Sequence, residues 1–168
     1  INAAIWAKDL HITTGANTVD AKTLEASAIE GKGGRPAFAL DTAAIGGMYA
    51  GRITLVGTEK GLGVNNSGTW SAEDNLTLDW NGDLKNSGTI YSKGNADLRA
   101  NYLENDKTIA AERNLSAAAK ENIRNQGKLL AGENMDIYAG KTLDNAGHAM
   151  ESGNNLSIGT GDAINNGA

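Results

Sequence analysis

From Val64 onward, apolar and asparagine positions recur in locked columns. Aliphatic residues stand at Val64, Leu84, Leu103, Ile123, Leu143 and Ile164, and two residues after each comes an asparagine: Asn66, Asn86, Asn105, Asn125, Asn145 and Asn166. The asparagine steps are 20, 19, 20, 20 and 21 residues. A unit this short cannot bury an apolar face by itself, so the pattern predicts the coils of a solenoid that gain a core by stacking.

Within each unit the pattern alternates. A large apolar side chain follows the asparagine by four residues (Trp70, Ile90, Ile109, Leu129, then Ala149 or Met150), and a small one follows two later (Ala72, Ser92, Ala111, Ala131). That period of two is a strand. A second asparagine column, Asn75, Asn95, Asn114, Asn134 and Asn155, introduces another alternating pair, such as Leu76 and Leu78 or Met135 and Ile137. Each coil thus reads as three short arms, and the fold class as an all-β parallel β-helix with parallel register and coils about 4.8 Å apart. Asparagine suits the corners because it tolerates left-handed backbone angles. Stacked asparagines also form amide ladders, and the first column is read as a structural ladder in that sense.

Residues 109–124, IAAERNLSAAAKENIR, are rich in helix formers, yet Ile109, Asn114, Leu115 and Ile123 each hold their column. Stacking overrides propensity in such a case, and strand is expected. Residues 1–65 are less regular: Leu10 with Ile12 and Ile53 with Leu55 repeat the second-strand pattern, while the period is lost at about 20–41. With the run Gly-Lys-Gly-Gly-Arg-Pro at 31–36, that stretch reads as an excursion, a hairpin or flap, with a return to coils near Ala43. The organisation expected is therefore irregular coils over 1–65 and regular repeats over 66–168.

Composition agrees with thin stacked coils, with 22 glycines, one proline and one phenylalanine in 168 residues, enough for about eight coils. The net charge of −5 and the lack of a basic stripe argue against nucleic acid. Without cysteine there is no disulfide or thiolate chemistry, which suits an exported protein. No apolar run approaches roughly 18 residues, so no membrane-spanning helix is expected. The chain starts at Ile1 within the repeat pattern, as a piece of something longer would.

Candidate chemistry is sparse. His11 and His148 lie in different coils and read as surface residues, which with no cysteine makes a zinc site unexpected. Asp162 sits in a Gly-Thr-Gly-Asp run, but calcium-binding rolls repeat every nine residues, not every 20. The glycines at 57–63 lack a phosphate-loop ending and read as a turn. Asp74, Asp79, Asp83 and Asp97 are the acids that would have to converge for glycosidase-type chemistry. The sequons at Asn75, Asn114 and Asn155 share one repeat position and read as part of the second column. No catalytic residue, cofactor or metal is expected.

The run DTAAIGGMYAGRITLVGTEKGLGVNNSGTWSA at 41–72 resembles the junction where filamentous-haemagglutinin-like exoproteins of two-partner secretion systems enter their haemagglutinin repeats. INAAIWAKDLHITTGANTVDA at 1–21 is similar to the stretch before it, 66–168 resemble the repeats, and Gly46–Ala50 is the most specific block. The resemblance implies a right-handed parallel β-helix, secreted to the bacterial cell surface through an outer-membrane barrel transporter. It also implies a parent that is a host-cell adhesin or a contact-dependent growth inhibition protein, meeting a receptor through distal regions. The family's Asn-Pro secretion motifs are absent, since Pro36 follows Arg35, so these residues are not expected to contact the transporter. The function expected is a non-enzymatic stalk segment. The alternatives are a carbohydrate-active β-helix enzyme, or a glycan- or receptor-binding module using the 20–41 excursion.

Overall fold

A computed structural model describes residues 1–32, 34 and 36–167; Gly33 and Arg35 of the Gly-Lys-Gly-Gly-Arg-Pro run, and Ala168, lie outside the described residues. The described residues form strands and turns without a helix. Strands 69–72, 89–92, 108–111, 128–131 and 149–152 stack as a first face, and 76–80, 96–100, 115–119, 135–139 and 156–160 as a second. The third face is a seven-stranded sheet running from Phe38–Thr42 through 63–66, 84–86, 103–105, 123–125 and 142–144 to Ala163–Asn165. Neighbouring strands in all three faces are parallel and one coil apart. The stack is shorter than the length alone suggests because residues between Thr14 and Phe38 lie outside these faces.

The first two faces merge in the strand Gly47–Gly57, whose first half pairs with Thr69–Ala72 and whose second half pairs with Leu76–Trp80. Ala4–Thr14 lies beneath its whole length. The cause is one residue. Two residues join the inward positions Ala50 and Ile53, whereas three join their partners Ala72 and Leu76, and the extra residue turns the corner.

Other corners absorb the uneven repeat in the same way. Asn101-Tyr102 does in two residues what Asn81-Gly82-Asp83 does in three, which gives the 19-residue step. Ala146-Gly147-His148 is one residue longer than its counterparts, with φ of 35° at Ala146 and 78° at Gly147. That insertion places Met150, not Ala149, over Leu129. Strand register is kept because a one-residue slip would turn every inward side chain outward.

The core is a set of columns. Val64, Leu84, Leu103, Ile123 and Leu143 line the third face, Trp70, Ile90, Ile109 and Leu129 the first, and Leu78, Leu98, Ala117 and Ile137 the second, all buried. Residues 109–124 are strands 108–111, 115–119 and 123–125, as the columns predict. Their helix propensity is worth a few tenths of a kcal/mol per residue, less than the roughly 1.5–3 kcal/mol gained by burying one Ile or Leu.

The irregular stretch needs correction at both ends. Its hairpin pairs Asn17–Val19 with Ala26–Ala28 in antiparallel fashion and so begins before residue 20. The Asp20 carboxylate accepts from the Lys22 and Thr23 amides at 2.8 Å each and closes the turn, with Leu24 at φ 61°. At the far end Phe38–Thr42 is already a strand of the third face, with Leu40 under Val64 and Thr42 under Asn66, so the stack resumes before Ala43. Thr58–Leu62 form the expected turn, with Gly61 at φ 81°.

Trp80 occupies the core because its neighbour in the coil below has no side chain: a Cβ at Gly57 would lie 2.4 Å from the indole ring. The indole Nε1 donates to the Leu62 carbonyl at 2.7 Å. Gly57→Ala is therefore expected to lower stability by about 1–3 kcal/mol. Chemical denaturation followed by tryptophan emission measures it, and an unchanged midpoint would show that the indole has room to move.

Candidate functional site

The positions that the repeat singles out are polar, and the structure places them inside. Asn66, Asn86, Asn105 and Asn125 are fully buried, and Asn145 nearly so. Each donates its Nδ2 to the Oδ1 of the next asparagine up the stack, at 2.8, 2.8, 2.7, 2.7 and 2.7 Å, ending at Asn166. The second Nδ2 hydrogen reaches a backbone carbonyl of the coil above, from Asn66 to Thr89, Asn86 to Thr108 and Asn105 to Lys128. In Asn66 and Asn125 the Oδ1 also accepts a glycine amide, from Gly68 and Gly127. Buried amides satisfied in this way stabilise the fold, and a missing member leaves orphans on both sides.

Below Asn66 the same column holds Thr42, fully buried, whose Oγ1 accepts the Trp70 indole N–H at 3.0 Å. Thr42 carries no asparagine to mark it as a member of the column. Its signal was available in the two-residue spacing from Leu40, the spacing that precedes every asparagine of the column.

The second column forms a ladder of opposite polarity. Asn114, Asn134 and Asn155 each donate Nδ2 to the asparagine one coil below, at 2.9, 2.9 and 3.0 Å. This ladder faces water, since Asn134 and Asn155 are exposed. Left-handed angles are not the reason for asparagine in either column: among the described residues the non-glycine positions with positive φ are Leu24 and Ala146. Side-chain hydrogen bonding is.

Outside the ladders, charges pair from coil to coil. On the third face Glu104 meets Lys85 at 3.5 Å and Arg124 at 2.9 Å. At the corners Lys93 pairs with Glu73, Arg113 with Glu133 at 3.5 Å and Lys141 with Glu121 at 3.4 Å. Near the start Arg52 binds Asp9 at 2.7 Å, a hydrogen bond that holds the Asp9 carboxyl below its ordinary value.

The four acids considered for catalysis are not brought together. Asp74 and Asp83 sit at different corners, and Asp79 and Asp97 occupy different outward columns of the second face, opposite Arg99 and Thr77 respectively. Asp97 instead binds Arg99 at 2.8 Å. His11 and His148 are both exposed, and among the described residues no cluster of three or more His, Cys, Asp or Glu could hold a metal. No helix of the described residues is long and apolar enough to cross a membrane.

Two overlapping stretches, residues 12–105 and 91–168, match the family model of the haemagglutinin repeat. The chain belongs to the haemagglutinin-repeat family. Its relatives include a protein named Toxin CdiA from Yersinia pestis, 40% identical over 118 aligned positions that cover 56% of this chain and 4% of that protein. A protein named tRNA nuclease CdiA, from Escherichia coli strain STEC_O31, is 36% identical over 184 positions, covering 95% of this chain and 6% of its own. One named 16S rRNA endonuclease CdiA, from Enterobacter cloacae, is 32% identical over 165 positions, covering 94% and 5%. The chain thus spans 4% to 6% of the length of these relatives. No solved structure matches.

In this haemagglutinin-repeat stack the two ladders make a matched test. Asn105→Ala orphans the Asn86 amide and the Asn125 oxygen in the core, and is expected to cost about 2–5 kcal/mol. Asn134→Ala leaves groups that water can reach and should cost under about 1 kcal/mol. Equal losses in urea denaturation would remove the distinction between the buried and exposed ladders.

Titration offers a second check. The hydrogen bond from the Tyr91 hydroxyl to Glu112 pushes the phenol up to about 12 from 10.0. A raised phenol favours the neutral form in the fold, so its contribution is complete below pH 10 and is lost as pH rises toward 12. Ultraviolet titration of tyrosinate should show two late tyrosines, Tyr91 and Tyr102, the second raised by its burial, and Glu112→Gln should return only Tyr91 toward the ordinary range.

Proposed function

We propose that this segment is a length of structural stalk in a large exoprotein of the adhesin or contact-dependent growth inhibition type, presenting a distal binding or toxin region. The observation that carries the reading is that the repeated positions have packing roles: the aliphatic columns fill the core and the asparagine columns bond from coil to coil. The parent would be secreted to the bacterial cell surface through an outer-membrane transporter of a two-partner system, and its receptor on a target or host cell would be met by regions beyond these residues. The asparagines from Asn66 to Asn166 serve as the structural ladder in this reading. Residues 1–65 form an irregular lead-in carrying the hairpin, and 66–168 the regular spacer.

In a solenoid each coil contacts its two neighbours, so a whole coil can leave without destroying the rest. Excising 106–125 sets Asn105 beneath Asn145 in register and shortens the stack by about 4.8 Å. It also sets Glu104 beneath Asp144, a like-charge contact costing under about 1 kcal/mol that Asp144→Lys would reverse. The excised protein is expected to fold and, within the parent, to be exported and active apart from its reach. Removal of ten residues from the same place should abolish folding. Loss of distal activity with folding and export intact would overturn the spacer reading.

A further inference from the structure

We propose that the lower part of the first face, from Ala4 to Ala110, binds an extended, uncharged glycan laid along the solenoid axis. Over its five lower strands the outward positions form two columns, Ala4, Gly47, Thr69, Thr89 and Thr108 in one and Trp6, Tyr49, Ser71, Tyr91 and Ala110 in the other, before Lys128 and Glu151 enter them higher up. None of the residues from Ala4 to Ala110 in these columns is charged. The third face, by contrast, presents alternating acids and bases, and the second presents Asp79, Asp97 and Arg99.

Along this neutral strip stands an aromatic platform. Trp6 is 75% exposed and stacks on Tyr49, with ring centroids 4.5 Å apart and 17° between planes. Gly47 seats the tyrosine ring, since a Cβ there would lie 2.7 Å from its Cε2. The Tyr91 hydroxyl is held by Glu112, which fixes a second ring two coils above Tyr49. A cleft of about 170 Å³ lies beside the Trp6–Tyr49 pair over Ser71, with Glu73 on its rim. Further up the same face, where the neutral strip ends, a shallow depression of about 480 Å³ lies over Ala110, between Tyr91 and Leu130, with Glu112 and Glu151 in its lining.

The chemistry of the strip matches one ligand class. Exposed aromatic faces seek an apolar partner, and a pyranose ring offers one in its C–H face while keeping hydroxyls around its rim. Those hydroxyls meet the threonine column and the Glu73 carboxylate. Tyr49 and Tyr91 are about 9.6 Å apart at sheet spacing, close to the repeat of a disaccharide in an extended chain. Nucleic acid is disfavoured because the outward positions from Ala4 to Ala110 offer no cation to phosphate, Lys128 standing alone above them. The Trp6 column points away from the core, so it faces solvent whatever stacks beneath it. This inference does not rest on the stalk reading, because excising 106–125 leaves Trp6 and Tyr49 in place.

The test is calorimetry and tryptophan fluorescence of the whole chain with hexasaccharides of β-1,4-linked glucose, xylose, mannose and N-acetylglucosamine, and with heparin as the charged comparator. Trp70 and Trp80 are buried, so an emission change on binding reports Trp6. At least one neutral hexasaccharide should bind and shift the emission, with affinity falling roughly tenfold in Trp6→Ala and in Tyr49→Ala. Tyr138→Ala, on the second face, should leave it unchanged, and Trp6→Tyr should retain most of it. Thermal melting of Trp6→Ala should match wild type, since the side chain is mostly in water. The proposal is overturned by no binding of any neutral hexasaccharide, by preference for heparin, by equal affinity in Trp6→Ala, or by a concentration-dependent rise in mass that Trp6→Ala abolishes, which would make the strip a contact between copies.

Discussion

Parallel pairing in register with the coils above and below is the constraint on which everything else depends. A three- to five-residue strand has no partner within its own coil, so its backbone amides and carbonyls must be satisfied by equivalent residues one coil away. Once that holds, equivalent side chains are brought to about 4.8 Å from each other along every column. Like must then tolerate like. Aliphatic residues do so in the core, asparagine does so because its amide is donor and acceptor at once, and a lone charge does not. Hence the pairing of Glu104 with both Lys85 and Arg124, and of Lys93 with Glu73.

The inner ladder shows how strict that constraint is. A chain of buried amides is costly when one link is missing and favourable when complete. Here it runs from Asn66 to Asn166 without a gap, and Thr42 closes its base by accepting the Trp70 indole. The outer ladder has water as a substitute partner, and its polarity is reversed. The inward column specifies register, while the outward charges add weak, screened contributions of the same sense.

Much of this was legible in the sequence because stacking turns spatial columns into arithmetic. Val64, Ile90 and Leu98 were placed correctly by counting alone, and Ile109 was kept in its strand against local helix propensity. Legibility failed where counting fails. The strand Phe38–Thr42 was missed because the hairpin from Asn17 to Ala28 interrupts the count before Leu40 and Thr42 resume it. Left-handed corners were expected from asparagine's conformational tolerance, a local property, whereas its role here is set by neighbours 20 residues away. The neutral aromatic strip was invisible for a related reason: Trp6 and Tyr49 are 43 residues apart and meet only because the hairpin between them is looped out.

The corners carry an evolutionary consequence. Coils of 19, 20 and 21 residues coexist because Asn101-Tyr102 and Ala146-Gly147-His148 take up the difference outside the strands. Unequal crossing-over between repeats adds or removes whole coils, and the corners add a tolerance for joins that are not at equivalent positions. A junction falling in a corner, even one that loses or gains a codon triplet, still yields a chain in which the next strand finds its place. Such a gene can lengthen or shorten its product in whole increments across generations, with the reading frame of the fold preserved by the turns rather than by the strands.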